Sequence, residues 1–125
     1  IASIGALDTP QSYFTEVRYE YIARRDYAVT RLNAMQGVYS PTPMGAFYTI
    51  ARIPVDDAER FAKWMLTAFR LNGETTMVTP AKSFYKTPGF GADQIRIAYV
   101  LGIPELEKAF DSLEAGLKEY PGKTV

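Results

Sequence analysis

The sequence contains no histidine and no cysteine. Histidine is the commonest general base and metal ligand, and cysteine supplies disulfides, thiolate nucleophiles and soft metal ligands. A Ser-His-Asp hydrolase, a zinc enzyme or a disulfide framework therefore cannot be built from this chain alone.

The sequence also lacks net charge and long apolar runs. Its 14 basic and 14 acidic residues give a formal net charge of zero, which argues against binding to nucleic acid or to anionic membranes, since both depend on excess basic residues. No apolar run approaches the roughly 18 residues that predict a transmembrane helix. With 47% hydrophobic residues over 125 positions, the composition is typical of one folded globular domain.

Hydrophobic periodicity predicts three amphipathic helices. The first should span about residues 10–35, with Asp8 or Thr9 as its cap and an apolar stripe that begins at Phe14. The second should begin at Asp56, which we expect to act as its cap with Glu59 three residues later. The third should open at residues 102–105 and end before Pro121.

Three segments rich in aromatic and β-branched residues predict strands at residues 46–53, 75–79 and 93–100. The order is therefore helix, strand, helix, strand, strand, helix. It predicts an α+β fold, a two-layer sandwich in which about three helices cover one face of a small, mostly antiparallel sheet.

The segment 93–100 carries one permanent positive charge in the middle of an apolar strand. Ile95, Ile97 and Tyr99 should share one face of this strand, and Arg96 should lie on the other. A guanidinium cannot be deprotonated and is costly to bury alone, so Arg96 needs a partner. The partner is either an internal carboxylate, which makes the arginine structural, or an anionic ligand.

Three segments occur in an order that resembles a known family. They are Gly45-Ala46-Phe47-Tyr48, then a loop with Pro80 and Phe84, then Arg96-Ile97. This order resembles the C-terminal small domain of class I pyridoxal-phosphate-dependent aminotransferases of the aspartate aminotransferase kind. The resemblance covers nearly the whole chain and implies that Arg96 pairs with the substrate's α-carboxylate.

The resemblance implies an enzyme that transfers an amino group between an aspartate-like amino acid and a 2-oxo acid. Residues 10–125 would form the small domain, and residues 1–9 would be the remnant of a preceding domain or linker. Pyridoxal 5'-phosphate would be bound mainly by a larger domain outside this sequence, so the segment alone should be inactive. The parent protein is expected to be a cytoplasmic homodimer.

Other residues of the loop and strands are weaker candidates. Lys82 and Lys86 could be mistaken for a Schiff-base lysine, but such a lysine needs a desolvating pocket and a cofactor cradle. Tyr48 and Phe84 coincide with aromatic positions of the resemblance, and we interpret them as core residues because most such residues are.

Two other functions remain open from the sequence. The first is a regulator that carries an aminotransferase-like domain and binds a small molecule without turnover. The second is a free-standing interaction or small-molecule module in which Arg96 forms a structural ion pair. The resemblance favours the enzyme over the free-standing module, whereas the sequence does not discriminate between the enzyme and the regulator.

Overall fold

The structure, a computed structural model, describes residue 5 and residues 7–125. Its elements follow the predicted order. They are helix α1 (Gln11–Ala34), strand β1 (Tyr48–Arg52), helix α2 (Ala58–Thr67), strand β2 (Thr79–Pro80), a 3-10 turn (Lys82–Phe84), strand β3 (Gln94–Ala98) and helix α3 (Ile103–Glu119). The prediction for residues 1–9 falls largely on residues outside the described part.

The strands form one antiparallel sheet in the order β1-β3-β2. Strand β3 is central, so Arg96 has Ile50 opposite it on β1 and Thr79 opposite it on β2. The predicted α+β class, with three helices and a small antiparallel sheet, is confirmed.

The helices and the inner face of the sheet share one hydrophobic core. From the sheet, Ala51 and Ile95 are fully buried, and Tyr99 just beyond β3 is 1% exposed. The last helix is amphipathic, as predicted, and its buried face consists of Leu106, Phe110, Leu113 and Leu117, followed by Tyr120 directly after the helix. The strand around Arg96 is nevertheless buried on one face only, because Ala98 and Val100 on the other face are exposed.

Helix α1 has nearly the predicted bounds but differs from the prediction at its start. Pro10 occupies the cap position and no side chain of residues 5 and 7–125 caps the helix, so the expected cap at Asp8 or Thr9 is wrong. The predicted apolar stripe is buried only in the second half of the helix, at Ala28 and Leu32. Phe14 is 49% exposed, because the first part of α1 extends beyond the core.

Helix α2 begins one residue later than predicted. Its cap is Asp57, whose Oδ1 accepts hydrogen bonds from the backbone N–H groups of Glu59 and Arg60 at 2.9 and 3.0 Å. The predicted cap, Asp56, instead accepts a hydrogen bond from the hydroxyl of Tyr120. A carboxylate therefore caps α2 as predicted, but it is Asp57 rather than Asp56, and Glu59 takes part through its backbone N–H.

Strand β2 is much shorter than the predicted strand at 75–79. It pairs only through Thr79 and Pro80, so Pro80, which follows the predicted strand, lies within the observed one. The hydroxyls of Thr75 and Thr76 donate to the carbonyls of Met65 on α2 and Ala109 on α3. These bonds hold the preceding segment against the helices and away from β3.

Among the described residues, no helix has the length and apolarity needed to cross a lipid bilayer.

Candidate functional site

Arg96 lies on the outer face of the sheet, opposite the helical layer. Residues that pair across antiparallel strands share a face, so Ile50 and Thr79 flank it there. Tyr48 and Arg52 are exposed on the same face, whereas Arg96 itself is half-buried. The sheet therefore holds the arginine on a rigid central strand that is accessible from one side.

The guanidinium of Arg96 lies against two aromatic rings from different segments. Its central carbon is 5.5 Å from the ring centroid of Tyr48 on β1 and 5.1 Å from that of Phe84 on the 3-10 turn. Both distances fall within the range of cation–π attraction, which stabilises a cation without neutralising it. Tyr48 is 40% exposed and Phe84 is 54% exposed, so their interpretation as core residues is wrong.

No internal carboxylate pairs with Arg96 among residues 5 and 7–125. The nearest acid along the chain, Asp93, instead lies 3.4 Å from Nε of Arg52. The other described ion pairs involve arginines and lysines of the helices and Lys82 of the loop. The guanidinium also has no hydrogen-bond acceptor within the described residues, so its donors are free for a ligand.

A groove of about 400 Å³ lies along β3 beside Arg96. The groove exists because the segment 75–78, which precedes β2, does not pair with β3. Its floor is formed by apolar side chains of α3, including Leu106, Phe110 and Leu113. Arg96 contributes the only permanent charge among the residues that line this groove.

Comparison with curated proteins identifies relatives of this domain. The chain is 31% identical to an aspartate aminotransferase from Rhizobium meliloti, in an alignment that covers 94% of the chain and 29% of that protein. It is 33% identical to an aromatic-amino-acid aminotransferase from Thermococcus litoralis over 83% of the chain and 25% of that protein. The chain belongs with the aspartate aminotransferase-like proteins.

Solved structures place this aminotransferase-like chain in the same fold. It superposes on an alanine aminotransferase from Pyrococcus furiosus with a TM-score of 0.76 at 29% identity, covering 94% of the chain and 29% of that structure. An aromatic aminotransferase from Pyrococcus horikoshii gives a TM-score of 0.71 at 32% identity. No protein-family model matches the chain. The chain thus spans less than a third of the relatives that it matches.

The described residues of this aminotransferase-like chain do not include a lysine suited to bind pyridoxal phosphate as a Schiff base. A Schiff-base lysine must be desolvated, but every lysine of the chain is exposed, including Lys82 and Lys86. Lys82 also lies 3.9 Å from a carboxylate oxygen of Asp57. No group of acidic residues in the described part could hold a metal ion.

The sequence placed Arg96 on the correct strand but missed the aromatic residues around it. Tyr48 could have been found, because a residue diagonally across an antiparallel pair on the same face lies within side-chain reach. Phe84 belongs to a loop, and no periodicity indicates where a loop side chain lies.

Proposed function

We propose that this chain is the small domain of a pyridoxal-phosphate-dependent aminotransferase, in which Arg96 binds the α-carboxylate of the substrate. The enzyme would transfer an amino group between an aspartate-like amino acid and a 2-oxo acid. The observation that carries the proposal is the half-buried guanidinium, which lies on an open sheet face with aromatic neighbours and has no acid partner within the described part of the chain.

The chemistry of arginine suits this role. A planar guanidinium meets a carboxylate through two parallel hydrogen bonds, which fix both the position and the rotation of the bound group. Fixing the carboxylate orients the rest of the amino acid, and orientation of this kind contributes much of an enzyme's rate. Pyridoxal phosphate, held by the rest of the parent protein, would supply the electron sink for the reaction.

The relatives carry the names of aspartate, aromatic amino acid and alanine aminotransferases. We propose aspartate because of the overall likeness, and amino acids with their 2-oxo acids as the substrate class. The predictions that the parent protein is a homodimer and is cytoplasmic follow from the resemblance and stay predictions.

The alternative functions are less well supported. A structural Arg96 requires a carboxylate partner, and the described residues offer none. A non-catalytic regulator would keep the same free arginine, so only turnover separates it from the enzyme.

The test uses the full-length parent protein loaded with pyridoxal phosphate and a panel of amino donors. Arg96→Lys keeps the charge but loses the two-pronged contact. We expect kcat/KM for every amino acid to fall by about tenfold to hundredfold, as for the loss of a charge-assisted hydrogen bond.

Arg52→Lys is the matched control, because Arg52 lies on the same sheet face but is exposed and paired with Asp93. It should leave kcat/KM within about twofold, as expected for an exposed ion pair. If the two substitutions change kcat/KM equally, Arg96 does not bind the substrate. Binding of an amino acid without turnover would favour the regulator.

A further inference from the structure

Tyr85 connects the aromatic loop to the strand that carries Arg96. Its hydroxyl donates a hydrogen bond of 2.6 Å to Oε1 of Gln94. Gln94 lies two residues before Arg96 and therefore on the same face of β3. A loop residue is thus attached to the sheet directly beside the arginine.

Gly91 provides the space into which the Tyr85 ring packs. Its φ angle is +75°, and a Cβ at this position would lie 2.6 and 2.7 Å from two carbons of the Tyr85 ring. Any side chain at residue 91 would therefore strain the backbone and displace the ring. The close contact and the hydrogen bond together fix the side chain of Tyr85.

The segment 81–85 is held at both ends by one residue, Gln94. The backbone N–H of Ala81 donates to the main-chain carbonyl of Gln94 at 2.9 Å, and Tyr85 at the other end bonds to the Gln94 side chain. Between these attachments, the N–H of Phe84 donates to the carbonyl of Ala81 and closes the 3-10 turn. The position of Phe84 over Arg96 is a consequence of this double attachment.

We propose that Phe84 and Tyr85 are positioning residues for Arg96: Phe84 holds the guanidinium and Tyr85 holds Phe84. This inference rests on the proposed role of Arg96 as the carboxylate-binding residue. An arginine side chain has many rotamers, and restricting them before the ligand arrives lowers the entropic cost of binding. Tyr48 offers a second ring from strand β1, so the guanidinium lies against one ring from the sheet and one from the loop.

The test measures carboxylate affinity in the full-length parent protein loaded with pyridoxal phosphate. Succinate is the probe, because it has two carboxylates and no amino group to react, and calorimetric titration gives its dissociation constant. Phe84→Leu should weaken succinate binding by about two- to fivefold, the value of an exposed cation–π contact. Phe84→Tyr, which keeps the ring, should restore the affinity.

Tyr85→Phe removes one oxygen and leaves the ring against Gly91, so it should not impair folding. It should weaken succinate binding by about twofold, as for the loss of one hydrogen bond. If Tyr85 acts through Phe84, Tyr85→Phe should have no further effect in a chain that already carries Phe84→Leu. In turnover, each variant should raise KM and leave kcat unchanged, since this contact exists before the reaction begins.

Phe14→Leu is the control for shortening an exposed phenylalanine, because Phe14 is 49% exposed on α1 and should leave succinate affinity unchanged. If Arg96→Lys weakens succinate binding while Phe84→Leu does not, the positioning role is wrong and the proposed function stands. If Phe84→Leu and Tyr85→Phe add independently, Tyr85 does not act through Phe84 and the inference is overturned. If Arg96→Lys has no effect on succinate binding, the proposed function itself fails.

Discussion

The hydroxyl of Tyr120 donates a hydrogen bond of 3.0 Å to Oδ1 of Asp56. Tyr120 follows α3 directly, and Asp56 lies just before α2, so this bond joins the end of one helix to the start of another. The backbone N–H of Asp56 also donates to the carbonyl of Gly122 at 2.9 Å. The last residues of the chain are therefore part of the folded domain.

The first prediction concerns the alkaline stability of the chain. Burial, together with the hydrogen bond to the negatively charged Asp56, raises the pKa of Tyr120 from 10.0 to about 12. The unfolded state therefore loses this proton first, so the stabilisation is complete below pH 10.0 and is lost as the pH rises to about 12. We expect the free energy of unfolding to fall by about 2 kcal/mol over this range because of Tyr120.

The measurement is urea unfolding of the chain across that pH range. Tyr120→Phe should lower the free energy of unfolding at neutral pH by about 1 kcal/mol. It should not show the further fall that ionisation of Tyr120 causes at alkaline pH. Tyr19→Phe is the control, because Tyr19 is 69% exposed and should leave the pH profile unchanged. Parallel profiles for the parent chain and Tyr120→Phe would contradict the assignment.

The second prediction distinguishes the observed helix cap from one that the sequence suggested. Asp57→Ala removes the acceptor of two backbone N–H groups at the start of α2 and should lower the free energy of unfolding by about 1 kcal/mol. Asp8→Ala is the control, because α1 has no side-chain cap and its free energy of unfolding should stay the same. A loss for Asp8→Ala as large as that for Asp57→Ala would contradict the cap assignment.

The third prediction concerns the two halves of the apolar pattern. Phe110 on α3 is 2% exposed, whereas Phe14 on α1 is 49% exposed. Phe110→Ala should therefore lower the free energy of unfolding by about 3–5 kcal/mol, because it leaves a cavity in the core. Phe14→Ala should change it by less than about 0.5 kcal/mol. Urea unfolding of both variants measures the difference. Similar losses in the free energy of unfolding would mean that Phe14 also packs in the core.

The sequence predicted the buried face of α3 and the sheet class because both depend on local periodicity, but it extended the buried face of α1 to Phe14, which is exposed. It could not choose between Asp56 and Asp57 as the cap of α2, since the choice depends on Tyr120, which lies 64 positions away. It also overestimated β2, because the hydroxyls of Thr75 and Thr76 bond to helices that are distant in sequence. Strand propensity does not include such contacts.

In the candidate site, too, local sequence patterns were predictive and contacts between distant residues were not. Arg96 could be found from the sequence, because a permanent charge in an apolar strand is conspicuous wherever the strand lies. The absence of an acid partner could not be found, since it depends on Asp93 pairing with Arg52 rather than with Arg96. The partner of Asp93 depends on packing between segments that are distant in sequence, and local sequence patterns do not contain this information.

The last prediction concerns a carboxylate introduced opposite Arg96. Ile50 is directly opposite Arg96 on β1, and the Cβ atoms of such a pair lie about 4.5–5.5 Å apart. A glutamate introduced as Ile50→Glu should therefore pair with the guanidinium and compete with a bound ligand. We expect the dissociation constant of succinate for the full-length parent protein to rise by about two- to fivefold, the range of a partly exposed ion pair.

Ile50→Gln is the matched control, because glutamine has nearly the same shape as glutamate and is also polar, but it carries no charge. It should lose the packing of Ile50 equally and leave succinate binding closer to that of the parent protein. The difference between the two variants should shrink as salt screens the new pair. If Ile50→Glu and Ile50→Gln bind succinate equally at low salt, the ligand carboxylate does not pair with Arg96. A ligand in the groove beside β3 would then be bound without this residue.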